Sequence, residues 1–189
     1  MTPLWFNPQH FLFRQCSPLL RDSLTCEGSL TEYISGYCAG GLELKIKNEK
    51  WQRPVTGELP GYGRIGKRQL YIREITLNCG DARFIYGRSL FSRRSYRYCR
   101  RQLERLGDRP LGEWLFGDRR IQRMHTQIGR IPKLSRLYRL AIPGETVRPA
   151  KLWGRRSLYS VNGHPLLVIE IFLPSLIKCI QYSKKVNPS

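Results

Sequence analysis

The sequence predicts an α+β domain built on an antiparallel sheet, and three observations carry that expectation. Asn162-Gly163 separates two β-favouring runs, Leu158–Val161 and Pro165–Pro174, which is the strongest short hairpin signal a chain can carry. A second pair of runs, Gln69–Leu77 and Arg83–Phe91, flanks the turn residues Asn78-Cys79-Gly80-Asp81 and reads as another hairpin. Helix-start signals stand between and before the strands, at Ser17-Pro18, at Ser29 with Glu32 three residues on, and ahead of the run Ser95–Leu106. At 189 residues and 41% hydrophobic, with no break in composition, the chain predicts one domain with a real core.

The first helical segment runs from Ser17-Pro18 toward Cys26, and the second from Ser29 to about Tyr37, stopped by Gly40-Gly41; together they predict a small helical hairpin. From Leu42 to Lys47 apolar and charged residues alternate, with Leu42, Leu44 and Ile46 inward, as in a half-exposed strand. Pro54 to Gly66 reads as a loop. In the run Gln69–Leu77, Tyr71, Arg73, Ile75 and Leu77 share a face, which places Arg73 on the more apolar side. Pairing with its neighbour Glu74 or reaching the sheet edge is the structural alternative to a site role.

The helix Ser95–Leu106 ends at Gly107 and carries Arg97, Arg100, Arg101 and Arg105, a solvated basic surface. Asp108-Arg109-Pro110-Leu111-Gly112 follows as a fresh helix start whose first amides are unpaired donors able to hold an anion. Arg119–Arg130 reads as a strand. Residues 131–150, with three prolines, read as an excursion without assigned structure, and the polar, basic tail from Ser175 is expected to fray.

Within PLLVIEIFLP, Leu166, Val168 and Phe172 face one way and Leu167, Ile169, Ile171 and Leu173 the other, so both faces are expected to be buried. Glu170 stands in the middle of it. A carboxylate there must find a cation, a hydrogen-bonding ligand or a proton, because an uncompensated buried charge costs several kcal/mol. Arg155 and Arg156 point to opposite faces of their strand, so at most one of them faces the pocket, and a solvent-facing or sheet-capping Arg is the favoured alternative for either.

Lys and Arg number 33 against 14 acidic residues, a formal net charge of +19, which favours anionic partners. Six cysteines without a CxxC pair, and three histidines that form no cluster with them, predict free thiols and no metal site. No run is long enough for a membrane helix, and MTPLWFNPQHFLF has no basic stretch ahead of an apolar one, so neither spanning nor secretion is expected. Arg73, the amide near Leu111 and Glu170 could together hold a small flat ligand with a carboxylate at one end and a hydroxyl at the other.

Four motifs in order, YIREITL, GDRPLGEWLF, IGR and LWGRRSLYSVNGHPLLVIEIFLP, resemble those of the chorismate pyruvate-lyase family over about Ser29 to Pro174. The resemblance implies a sheet of about six antiparallel strands flanked by helices, two of which form a flap over an internal cavity. It implies conversion of chorismate to 4-hydroxybenzoate and pyruvate, a carbon–oxygen lyase reaction in quinone precursor synthesis (ubiquinone or plastoquinone) without a cofactor. By residue, the carboxylate falls to Arg73 and the amide of Leu111, and the 4-hydroxyl to Glu170. The flap contact falls on Leu30, where the best-known member carries Met. Arg155 or Arg156 would meet the second carboxylate. Residues 1–174 would form the domain, 131–150 an insertion relative to shorter members, and 175–189 a flexible tail. A monomer in the cytoplasm or a plastid stroma, without nucleic acid or membrane span, completes the expectation. The rivals are a non-catalytic carboxylate-binding effector domain, disfavoured because no helix-turn-helix fits ahead of Ser29, and a basic nucleic-acid-binding protein, for which no motif speaks.

Overall fold

A computed structural model of the chain describes residues 1–59 and 69–186, with side chains to Ser183. The part of the expected loop beyond residue 59 therefore lies outside the described residues. Strands β1 (Leu4–Phe6), β2 (Glu43–Gln52), β3 (Leu70–Cys79), β4 (Ala82–Phe91), β5 (Ile121–Pro132), β6 (Lys151–Val161) and β7 (His164–Phe172) form one antiparallel sheet in the order β1-β5-β6-β7-β4-β3-β2. The helices are α1 (Pro18–Thr25), α2 (Leu30–Ser35), α3 (Arg93–Leu106), α4 (Leu111–Gly117), α5 (Arg136–Ala141) and α6 (Pro174–Val186). The α+β class stands, with seven strands among the described residues rather than about six. The extra one, β1, is three residues long, too short to show a period, and pairs Trp5 with Gly129 of β5. The Trp5 ring fills the place of a side chain at that position, where a Cβ would lie 2.3 Å from it.

Both hairpins form where expected. Asn162 and Gly163 take φ of 48° and 77°, the left-handed pair of a tight turn whose twist suits the strands, and β6 pairs with β7 from Val161↔His164 to Trp153↔Phe172. The β3–β4 turn is tighter than predicted, because Cys79 pairs with Ala82 and only Gly80-Asp81 remain outside the ladder. On β2 the alternation fails at Ile46, 39% exposed, where a register shift between Ile46 and Asn48 breaks the period. Helix α2 stops at Ser35, two residues short of the expected end.

Two expectations are overturned, and the excursion 131–150, to which the sequence assigned no structure, proves ordered. Its first two residues finish β5, the Ser135 hydroxyl accepts from the Tyr138 amide, and α5 buries Leu137, Tyr138 and Ala141. The tail does not fray at Ser175: α6 continues to Val186, and Leu176 and Ile180 lock its apolar side into the core beside Leu20, Leu24 and Phe172. Nor are all the thiols free. Cys38 and Cys79 form a disulfide, their Cα atoms 5.7 Å apart, while Cys16, Cys26, Cys99 and Cys179 stay reduced. Forty-one residues of separation hide that pairing from the sequence.

The two sheet faces carry different cores. Helices α1, α2 and α6 pack on one with Leu77, Ile85, Ile128 and Phe172; α5 covers the other with Ile72, Tyr86, Ile169 and Ile171. The second face also holds a buried ion network in which the Arg88 guanidinium donates to Glu58 and Glu74, and the Tyr86 hydroxyl donates to Glu74 at 2.9 Å. Glu74 thus pairs with Arg88 and not with Arg73.

Candidate active site

Antiparallel pairing lays one row across the sheet, Ile75–Gly87–Glu170–Arg155–Ile128, and beside it a second, Arg73–Ser89–Val168–Ser157. Side chains in register point to the same face, so Arg73 of β3, Glu170 of β7 and Arg155 of β6 all look toward the side roofed by α2 and α4. They line one tight cavity there, with about 60 Å³ open to a water-sized molecule and with Leu44, Leu77, Ile85 and Val168 as apolar walls. Its roof is Ser29, Leu30 and Thr31 from α2 and Leu111, Gly112, Leu115 and Phe116 from α4. The two helix starts touch, since a Cβ at Gly112 would lie 3.1 Å from Ser29 Oγ. Ser29 Oγ accepts from the Glu32 amide at 3.3 Å, which fixes the α2 start that presents Leu30.

Arg73 and Glu170 sit two strands and two residues apart, about 12 Å between Cα atoms from ordinary strand spacings. Gly87 and Ser89 of the intervening β4 leave the floor between them low. Arg73 is 2% exposed and organises the α3–α4 turn, its Nη2 donating to Gly107 O at 2.7 Å and Arg109 O at 3.3 Å, while Nη1 lies 3.3 Å from Glu49 Oε1. By holding that turn it positions the amide of Leu111 two residues later. Burial pulls the Arg73 pKa below the ordinary guanidinium value, with Glu49 pulling the other way.

Glu170 finds its cation in Arg155, whose Nε donates to Oε2 at 2.5 Å. Arg155, 2% exposed, also donates from Nη1 to Cys26 O at 2.7 Å, tying the sheet to the loop before α2. Burial works against the Arg155 charge, but the Glu170 carboxylate and its hydrogen bond together hold the pKa above the usual value. Tyr159, the next wall residue on β6, has its hydroxyl pKa raised by burial and by Glu170.

The structure thus brings Arg73, Leu111, Glu170, Leu30 and Arg155 to one cavity and leaves Arg156 out of it. Arg156 points to the other face, where it donates to Gln127 and to Glu58 O and stacks on Trp5, 4.8 Å from the ring centre. Sequence reasoning missed Gly87 and Tyr159 in the wall, and Glu49 behind Arg73. Their places follow from strand register, which no single strand reveals.

An antiparallel sheet roofed by helices over an enclosed, largely apolar cavity with a few convergent charges is the layout of a small-ligand domain. The family model for chorismate lyase matches residues 2–184, and the chain belongs to the chorismate lyase family. Among curated relatives, the protein of Methylococcus capsulatus named "Probable chorismate pyruvate-lyase" is 34% identical over 79% of this chain and 91% of its own length. One of the same name from Halorhodospira halophila is 35% identical over 84% of this chain and 83% of its own. A solved GntR-family transcriptional regulator from Enterococcus faecalis V583 superposes with a TM-score of 0.46 at 9% identity, over 69% of this chain and 88% of that one. No helix of the described residues is long and apolar enough to cross a membrane.

Proposed function

We propose that the protein eliminates pyruvate from chorismate to give 4-hydroxybenzoate, as a carbon–oxygen lyase supplying a quinone precursor. The observation that carries this reading is the convergence of Arg73, Leu111, Glu170 and Arg155 on one roofed cavity in a chain of the chorismate lyase family.

Chorismate loses its C4 hydrogen as a proton, and the enolpyruvyl oxygen leaves C3 with the electron pair of the broken bond. The enolpyruvate takes a proton on its methylene carbon and becomes pyruvate, while the ring becomes aromatic. The step is redox-neutral and driven by aromatisation, so it calls for no cofactor. What the protein supplies is placement and charge.

Arg73 and the Leu111 amide hold the ring carboxylate, Arg contributing the planar fork that suits it. Glu170 receives the 4-hydroxyl on Oε1 while Arg155 occupies Oε2, so the ring is fixed at both ends. Arg155 also faces the side-chain carboxylate and steadies charge on the departing enolate. The proton reaches the methylene either through Glu170 or directly from C4. Leu30 closes over the ring. Release then waits on the roof, so product inhibits its own formation. The named relatives are bacterial, which lends nothing to a plastid site.

Incubation with chorismate, followed by chromatography for hydroxybenzoates and a coupled assay for pyruvate, tests the reading. Equimolar 4-hydroxybenzoate and pyruvate are expected, with Arg73→Ala and Glu170→Gln each depressing the rate at least tenfold, about 1.4 kcal/mol in transition-state terms. Formation of 3-hydroxybenzoate would sink the regiochemistry. Tight binding of 4-hydroxybenzoate without turnover would make the chain a carboxylate-binding module.

A further inference from the structure

Arg123 of β5 stands just outside the cavity wall and touches both parts of the roof. Its Nε donates to the Tyr159 hydroxyl at 3.1 Å, Nη1 to Cys26 O and Nη2 to Gly28 O, each at 3.4 Å. Cys26 and Gly28 belong to the loop that leads into α2 and Leu30. On its other side the guanidinium lies 5.0 Å from the centre of the Phe116 ring on α4 and 5.4 Å from that of Tyr159. One cation therefore bridges the α2 entry, α4 and the sheet.

Two further observations mark this as a built contact. The β5–β6 register shifts between Arg123 and His125, leaving Met124 as the extra residue, and a bulge of this kind re-aims the neighbouring side chain. Phe116 is 45% exposed, so the planar cation supplies cover that its own helix does not. The carbonyl of Cys26 is also shared: Arg155 holds it from inside the cavity and Arg123 from outside. A ligand carboxylate that draws Arg155 away would leave the loop on Arg123 alone.

We propose that Arg123 is the latch of the roof, a positioning residue that keeps the Cys26–Gly28 loop and α4 closed over the cavity and thereby sets the rate at which ligand leaves. Its effect on product release rests on the lyase reading above; the latch itself does not. The fork geometry matters, since a lysine could serve one carbonyl but not two carbonyls and two rings together.

Amide hydrogen exchange of the ligand-free protein tests the latch directly. In Arg123→Met, and less so in Arg123→Lys, exchange across residues 26–36 and 111–117 is expected to quicken about tenfold, while the strands exchange as before. Stopped-flow displacement of bound 4-hydroxybenzoate should show dissociation faster by about tenfold, with single-turnover conversion within about twofold of the parent. Unchanged exchange in the roof overturns the latch. A slower single turnover with unchanged dissociation overturns it as well, by making Arg123 part of the chemistry. Should Arg123→Met fail to fold, Phe116→Ala removes only the stacking half and must still quicken roof exchange severalfold, failing which the proposal falls. A parent protein that neither converts chorismate nor binds 4-hydroxybenzoate refutes the lyase reading, and roof exchange then judges the latch alone.

Discussion

Buried Arg155 and half-buried Glu170 are paired before any ligand arrives, and removing one partner does not simply subtract its role. Glu170→Gln leaves the 2% exposed Arg155 without its carboxylate, and stranding such a charge typically costs about 3–5 kcal/mol. The variant is therefore expected to lose both activity and stability in denaturant unfolding. Adding Arg155→Met should recover most of the stability and none of the activity. Recovery of neither would mean that the pair is not what links this site to the fold. The need of Glu170 for a partner was legible in the sequence, because a carboxylate amid Leu, Val, Ile and Phe cannot stand alone. Which partner it takes was not, since Arg73 and Arg155 both face the cavity and only the β6–β7 register brings Arg155 opposite Glu170. Arg73 shows the same limit from the other side. Its apolar face was readable, while its hold on Gly107 and Arg109 depends on where α3 ends in space.

At the scale of elements, the short roof helix α2 is tethered close behind its end. Cys38 follows it and is bonded to Cys79 at the end of β3, closing a loop of 41 residues. A loop of that length corresponds to about 4 kcal/mol in the chain-entropy account. Cys38→Ser is expected to lower unfolding free energy by up to that amount. A thiol titration of the unfolded, unreduced protein should find four free groups, those of Cys16, Cys26, Cys99 and Cys179; six would refute the bond. The ion network beneath the sheet gives a second outcome. Burial opposes the Glu74 charge, but Arg88, Tyr86, Gln52 and Asn48 together hold its carboxyl below the ordinary value. A carboxyl depressed in the folded state stabilises the fold above its unfolded pKa and ceases to do so as pH falls through the folded one. Thermal unfolding followed downward from neutrality should therefore show a loss in the acid range that is smaller in Glu74→Gln. Elements with a period and a turn signal were legible, as both hairpins show. Helix α6 was not, because Lys, Gln and Ser on its outer side masked the few apolar residues that dock it.

For the molecule as a whole, the charge of +19 concerns arrival more than grip. A substrate with two carboxylates is drawn toward such a protein, and salt screens that attraction over about 8–10 Å at ordinary ionic strengths. The value of kcat/KM for chorismate is expected to fall severalfold between 20 and 300 mM salt, roughly estimated, with kcat changing little. Equal loss in both would point to a disturbed site instead of slowed encounter. Overall charge was countable from the sequence, whereas the enclosure that makes a cavity out of scattered residues depends on two short helix starts meeting at Ser29 and Gly112.

The sheet ends differently on its two sides. On β2 the outer rim carries Glu43, Lys45, Lys47, Glu49 and Lys50, charges that discourage pairing with a stranger. The rim of β5 has only Arg130 as such a guard along the residues that β1 covers, Ile128 to Arg130. Clipping the chain after Pro8 would bare donors and acceptors seeking a neighbour, and the shortened protein is expected to self-associate, visible as growing scattered light at concentrations where the intact chain stays clear. The first few residues would then act as a chaperone carried in cis, their contribution lying in the company they prevent the sheet from keeping.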